Sequence, residues 1–138
     1  MTNTFPKLDL VYFKMRAFTE AIQIQLSFGK VPYSYFMAWE YFEKPWADVK
    51  KDIGFGQLPL LVVNDKTHIW QSGSIMRYTA TLANTMPDNA SDRAMSDAIF
   101  ESSQELFQPL NATINFKTGE EFETCLLYTS PSPRDGTK

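Results

Sequence analysis

The chain of 138 residues is of single-domain length, is 43% apolar with three Trp, six Tyr and eleven Phe, and carries a formal charge of −3. That much apolar mass excludes a disordered chain, and the acidic balance excludes a protein built to displace counterions from nucleic acid. No apolar run approaches the roughly 20 residues of a membrane helix, no signal-peptide pattern opens the chain, and the single cysteine, Cys125, excludes an internal disulfide or a Cys-x-x-Cys motif. A cytoplasmic globular protein with neither nucleic acid nor membrane as partner is expected.

Leu8, Leu10 and Tyr12 alternate with Asp9 and Val11, which predicts a strand. A helix follows between Met15 and Phe28, where Ala17, Ala21, Ile24 and Phe28 fit a helical stripe and Gly29 is a natural C′ residue. Pro32 starts a second extended run, Tyr33 to Met37, and a polar and aromatic stretch runs from Trp39 to Lys44. Pro45 opens a short helix that Gly54 ends. Leu60 to Val63 is a continuous apolar strand; Asn64-Asp65 supplies a turn, and Thr67 to Trp70 returns as its hairpin partner. Ser72 or Ser74 is suited to cap a helix through Ile75, Tyr78, Thr79 and Leu82, ending at Asn84.

The order is β-α-β-α-β-β-α, which implies an α/β fold: one mixed sheet with helices over both faces. Residues 85–90 read as a linker. From Ser91 the pattern is helical only, with Asp92 as a cap and Met95, Ile99, Ser102/Ser103, Leu106 and Leu110 recurring at three to four. Composition shifts at Cys125. The run from Cys125 to Asp135 resembles the conceptual translation of a sequencing-library adapter, so 125–138 is expected to be non-native, leaving no native cysteine.

Two stretches carry a family resemblance. Phe55-Gly-Gln-Leu-Pro-Leu-Leu-Val-Val63, followed by Ile69-Trp-Gln-Ser-Gly-Ser-Ile-Met-Arg-Tyr78, resembles the "G-Q-x-P-x-L" strand and "Q-S-x-A-I-x-R-Y" helix start of the glutathione S-transferases, nearest the tyrosine-using sigma type. The resemblance covers about residues 5 to 124. It implies a thioredoxin-like domain over 1–84 and the first part of an all-helical domain over 91–124, the latter truncated. It also implies glutathione as co-substrate, small electrophiles as partners, no metal, and a homodimer in the intact parent.

Each site residue has a bland reading beside the one the resemblance implies. Tyr12, one strand tyrosine among six, becomes the hydroxyl that donates a hydrogen bond to the glutathione sulfur. A free thiol ionises near about 8.5, and a donor aimed at sulfur favours the reactive anion. Leu58-Pro59 becomes a cis peptide turning the backbone of Leu58 toward the cysteinyl part of the tripeptide, beside Gln57, rather than an ordinary edge-strand proline. Gln71 and Ser72 stand before a helix, whose N-terminus suits the γ-glutamyl carboxylate; Ser72 as a mere cap is compatible with that. Trp46 and Lys50, four apart and so on one helical face, become holders of the glycine carboxylate rather than a core indole and a solvated cation, with Lys44 and Lys51 as substitutes. Asp97 becomes a group reaching the ligand of the neighbouring subunit rather than a solvated carboxylate.

One departure stands out. The family's loop after its Tyr-Phe ends Gly-Arg-Ala-Glu, whereas Lys14-Met-Arg-Ala-Phe18 has no glycine and a shorter gap, leaving Arg16 loosely aligned. A non-catalytic, crystallin-like protein of the same fold is therefore the alternative expectation. The missing redox cysteine at the turn from the first strand into the first helix, Tyr12 to Arg16, disfavours a thioredoxin-type reductant. His68, the only histidine, reads as a hairpin residue without metal partners.

Overall fold

The computed structural model describes residues 4–129. Two compact units divide the chain, the first ending at Met86 and the second beginning at Pro87.

The first unit is a thioredoxin-like mixed sheet of four strands in the order β2-β1-β3-β4: β1 Leu8–Tyr12, β2 Ser34–Met37, β3 Leu60–Val63 and β4 Thr67–Trp70. β1 pairs parallel with β2 (Leu10 opposite Tyr35) and antiparallel with β3 (Val11 opposite Leu60); β3 and β4 form a hairpin. Its turn puts both Asn64 and Asp65 in the left-handed region, φ 52° and 58°, and the Lys66 N–H closes it on Val63 O at 3.1 Å. β1 occupies a central position, so all five of its residues are buried and the alternation separates two apolar layers rather than core from solvent. Leu8 and Leu10 join Ile22, Leu26, Leu61 and Ile75 under the helices α1 (Ala17–Phe28) and α4 (Ser72–Leu82). Val11 joins Leu60 and Val62 on the other face, covered by Tyr41 and Phe42 of α2 (Ala38–Phe42). The buried Asp9 pairs with Lys7 at 3.4 Å.

Several local expectations are corrected. In α1 the buried stripe is Thr19, Ile22 and Leu26, while Ile24 and Phe28 are exposed; the sequence holds two apolar stripes, and the crossover from β1 decides which meets the sheet. Gly29 has φ −77°, and Lys30 holds the left-handed C′ position, φ 54°, in a Schellman end where Lys30 N–H donates to Ser27 O and Val31 N–H to Leu26 O. Gly29 is glycine for a different reason: a Cβ there would lie 2.5 Å from Cβ of Ala83, so the C-terminal ends of α1 and α4 touch. Gln25 ties the same helices, its amide donating to Met76 O (2.9 Å) and Thr79 Oγ1 (2.7 Å).

Neither Ser72 nor Ser74 caps α4; Gln71 occupies the N-cap at φ 70°, without a side-chain cap bond. The stretch from Trp39 contains α2, and the Pro45 helix is only α3 (Trp46–Val49), followed by 3₁₀ turns at Lys50–Asp52 and Gly54–Gly56. A β-carbon at Gly54 would stand 3.0 Å from the Trp70 indole, so this segment lies directly on β4.

The second unit holds α5 (Ala90–Phe116) and α6 (Gly119–Thr129). Asn89, not Asp92, caps α5: its Oδ1 accepts the Asp92 N–H at 2.8 Å, and Asp92 sits in the first turn. Of the expected stripe, Met95, Ile99 and Leu106 are exposed and Leu110 half-buried. α6 runs across the compositional boundary after Thr124; residues 130–138 lie outside the described residues. Among the described residues no helix is long and apolar enough to cross a membrane.

Candidate functional site

Strand direction concentrates the candidate residues. β1, β2 and β4 finish, and β3 begins, at one end of the sheet. Tyr12, the last residue of β1, follows the Val11–Leu60 pair and so stands beside Pro59; the Leu60–Trp70 pair sets Gln57–Pro59 alongside Gln71–Ser72. The Leu58–Pro59 peptide is cis, with Pro59 buried and Leu58 half-buried. The amides of Gln71 and Gln57 meet at 3.5 Å, both exposed. Behind Gln71 the first turn of α4, which has no side-chain cap, starts at this end, where the helix dipole favours an anion.

Aromatic contacts bring a second segment to the same end. The Phe13 ring lies 5.3 Å from Tyr12 and meets Trp46 edge-on at 5.6 Å; Trp46 also leans on Phe42 at 6.4 Å. Half-buried Trp46 is thereby a packing residue here, and exposed Lys50 follows it at the end of α3. Lys50, Lys51 and Gln57 line one cleft of about 440 Å³ with Ala47, Ile53 and Phe55. Lys44 instead lines a neighbouring cleft of about 430 Å³ with Asp48, Asp52, His68 and Trp70. His68 lies on β4, its ring 6.0 Å from Trp70. Asp97 lies exposed on α5, in the second unit.

Tyr12 is only 3% exposed. Burial pushes its phenol above the ordinary tyrosine value, with the nearby Phe18 backbone N–H opposing the shift and Tyr35 adding to it. A phenol held above its usual range stays protonated at neutral pH and keeps a proton to donate. The turn that follows, 13–16, leads to Ala17 at φ 30°, in the region that glycine favours, which is the structural counterpart of the absent loop glycine. Arg16 is exposed, and its carbonyl accepts the Thr19 N–H at 3.2 Å.

Sequence reading missed Phe13, Thr19 and Tyr35 as parts of this end. Phe13 had a signal, as the aromatic neighbour of Tyr12. Tyr35 had none, because its placement depends on the β1–β2 register.

The family model for the N-terminal domain of glutathione S-transferase matches residues 8–81. Glutathione S-transferase 4 of Caenorhabditis elegans is 34% identical over 96 residues, 70% of this chain and 44% of the relative. Glutathione S-transferase P of the same organism is 30% identical over 116 residues, 82% of this chain and 53% of the relative. The chain thus spans about half the length of the curated relatives it matches. Among solved structures, the glutathione S-transferase of Ascaris lumbricoides superposes with a TM-score of 0.72 at 24% identity, covering 86% of this chain and 58% of that one, a likeness of fold.

Proposed function

From the premise that this chain belongs to the glutathione S-transferase family, we propose that it binds glutathione at the shared end of its sheet and activates the thiol for attack on small electrophiles, or for isomerisation. The observation that carries this is the meeting of Tyr12, the cis Leu58–Pro59 peptide and the start of α4 at that end. A tripeptide with a carboxylate at each end fits such a site. The α4 N-terminus with Gln71 and Ser72 takes the γ-glutamyl carboxylate. Leu58 offers its backbone to the cysteinyl residue as an added strand, with Gln57 beside it. Lys50 takes the glycine carboxylate, with Trp46 forming the wall. Tyr12 donates a hydrogen bond to sulfur, whose own proton goes to solvent; the thiolate electron pair forms the new C–S bond, and the electrophile's leaving group, halide for an aryl halide, departs with its bonding pair. In a homodimer Asp97 would serve the ligand of the other subunit. No metal enters this scheme, and a cytoplasmic setting, where glutathione is plentiful, suits it.

A hydrogen bond to a charged group contributes about 1.5–3 kcal/mol, or one to two pK units at sulfur. Tyr12→Phe is therefore expected to slow conjugation of an activated aryl halide by about ten- to a hundredfold at neutral pH, with glutathione affinity by calorimetry little changed. An unchanged rate would remove Tyr12 from the mechanism. The burial of Tyr12 favours a second reading, a non-catalytic, crystallin-like protein of this fold; glutathione binding without measurable conjugation in the unmutated chain would select it.

A further inference from the structure

Ala17, at φ 30°, occupies a backbone region unfavourable to alanine, and such a conformation persists only where its surroundings impose it. The imposing groups are two hydroxyls. Tyr35 Oη donates to the Phe13 carbonyl at 2.7 Å, and Thr19 Oγ1 reaches the Arg16 carbonyl at 3.3 Å. The two hydroxyls stand 3.4 Å apart. Phe13 O also accepts the Met15 N–H at 2.8 Å, so both ends of the turn are fixed through their carbonyls. Thr19 is fully buried within α1. Tyr35 comes from β2, opposite Leu10, and its long side chain reaches forward to the residue after Tyr12.

We propose that Tyr35, working with Thr19, is a positioning residue for Tyr12: the hydroxyl pair holds the glycine-free turn at the length that keeps the Tyr12 hydroxyl in place. The inference rests on the reading of Tyr12 as the thiol-activating group. Its physical basis is the chain path. Phe13, whose carbonyl Tyr35 holds, directly follows Tyr12, and the turn from it leads to Phe18, whose backbone N–H lowers the pKa of the Tyr12 hydroxyl. Whatever fixes the turn therefore fixes the surroundings of that hydroxyl. The Tyr35 proton is engaged by Phe13 O, so Tyr35 is not itself a second donor to sulfur.

Tyr35→Phe removes a single oxygen and leaves Phe13 O its Met15 partner and Thr19 its Arg16 partner. Two readouts on the full chain test the proposal: the titration of Tyr12 by ¹³C-tyrosine NMR, assigned with Tyr12→Phe, and the ionisation of bound glutathione by thiolate absorbance. In Tyr35→Phe the Tyr12 midpoint is expected to rise further as the turn loosens and the Phe18 N–H withdraws, against the fall that loss of the Tyr35 oxygen alone would give. The bound thiol midpoint is expected to rise by about half a pH unit, about threefold less thiolate below it. Adding Ala17→Gly, which accepts the left-handed backbone unaided, should reverse most of both shifts. A general loss of packing would not be rescued that way. Wild-type midpoints in Tyr35→Phe, beside a raised thiol midpoint in Tyr12→Phe, would overturn this inference alone. A wild-type thiol midpoint in Tyr12→Phe would overturn the reading of Tyr12 and the inference together.

Discussion

The helices α1 and α5 have similar apolar repeats and opposite fates. In α1, Thr19, Ile22 and Leu26 are each no more than 1% exposed, because two strands and α4 form a closed layer beneath them. In α5, more than twice as long, Met95 and Ile99 are both 66% exposed, and Thr113 is the one residue buried among those described. Hydrophobic periodicity marks a face suited to burial, but burial requires a partner of matching shape. Even α1 carries an unused stripe at Ile24 and Phe28, so the repeat alone does not choose the face.

The largest expected effect breaks this contrast open. Ile22→Ala should cost about 3 kcal/mol in urea denaturation, because it leaves a cavity in a layer that cannot collapse, whereas Ile99→Ala should stay within about 0.5 kcal/mol. Comparable losses at both positions would mean that α5 has a buried face after all. Next comes the contact between the two helix ends of the first unit. Gly29→Ala places a carbon 2.5 Å from Ala83 Cβ, and the resulting displacement should cost about 2 kcal/mol. At Gly54 the added carbon meets the Trp70 ring at 3.0 Å, and a side chain yields more easily than a helix end, so Gly54→Ala should cost less.

The smallest effect concerns pH. Burial raises the phenols of Tyr12, Tyr35 and Tyr41 in the folded chain. Lys7 is raised too, first by its hydrogen bond from Nζ to Asp65. Between the ordinary tyrosine value of about 10 and the raised values, the folded state therefore binds more protons than the unfolded state. The stability tied to these groups is full below about pH 10 and falls as pH rises through the folded values. Denaturation midpoints should thus be flat in these groups from neutrality to about pH 9 and decline above it, with Tyr41→Phe lessening the slope by up to one proton. A midpoint that climbs above pH 10 would reverse the assigned sign.

The strands, the hairpin turn at Asn64-Asp65 and the existence of α1, α4 and α5 were written locally, in alternation, turn chemistry and helical spacing that act over a few residues. The paired motifs around Leu58-Pro59 and Gln71-Ser72 were legible for the same reason. Chain pairing decided the rest. β1 became central, so Asp9 and Val11 were buried with Leu8 and Leu10 rather than turned to water. Gly29 was needed for its approach to Ala83, some fifty residues on, and Lys30 took the left-handed position that glycine was expected to fill. Tyr35 reached the turn after Tyr12 only because β2 lies parallel to β1 in one register. Close approach and hydroxyl partnership depend on which distant segments meet, and no local pattern of residue types encodes that meeting.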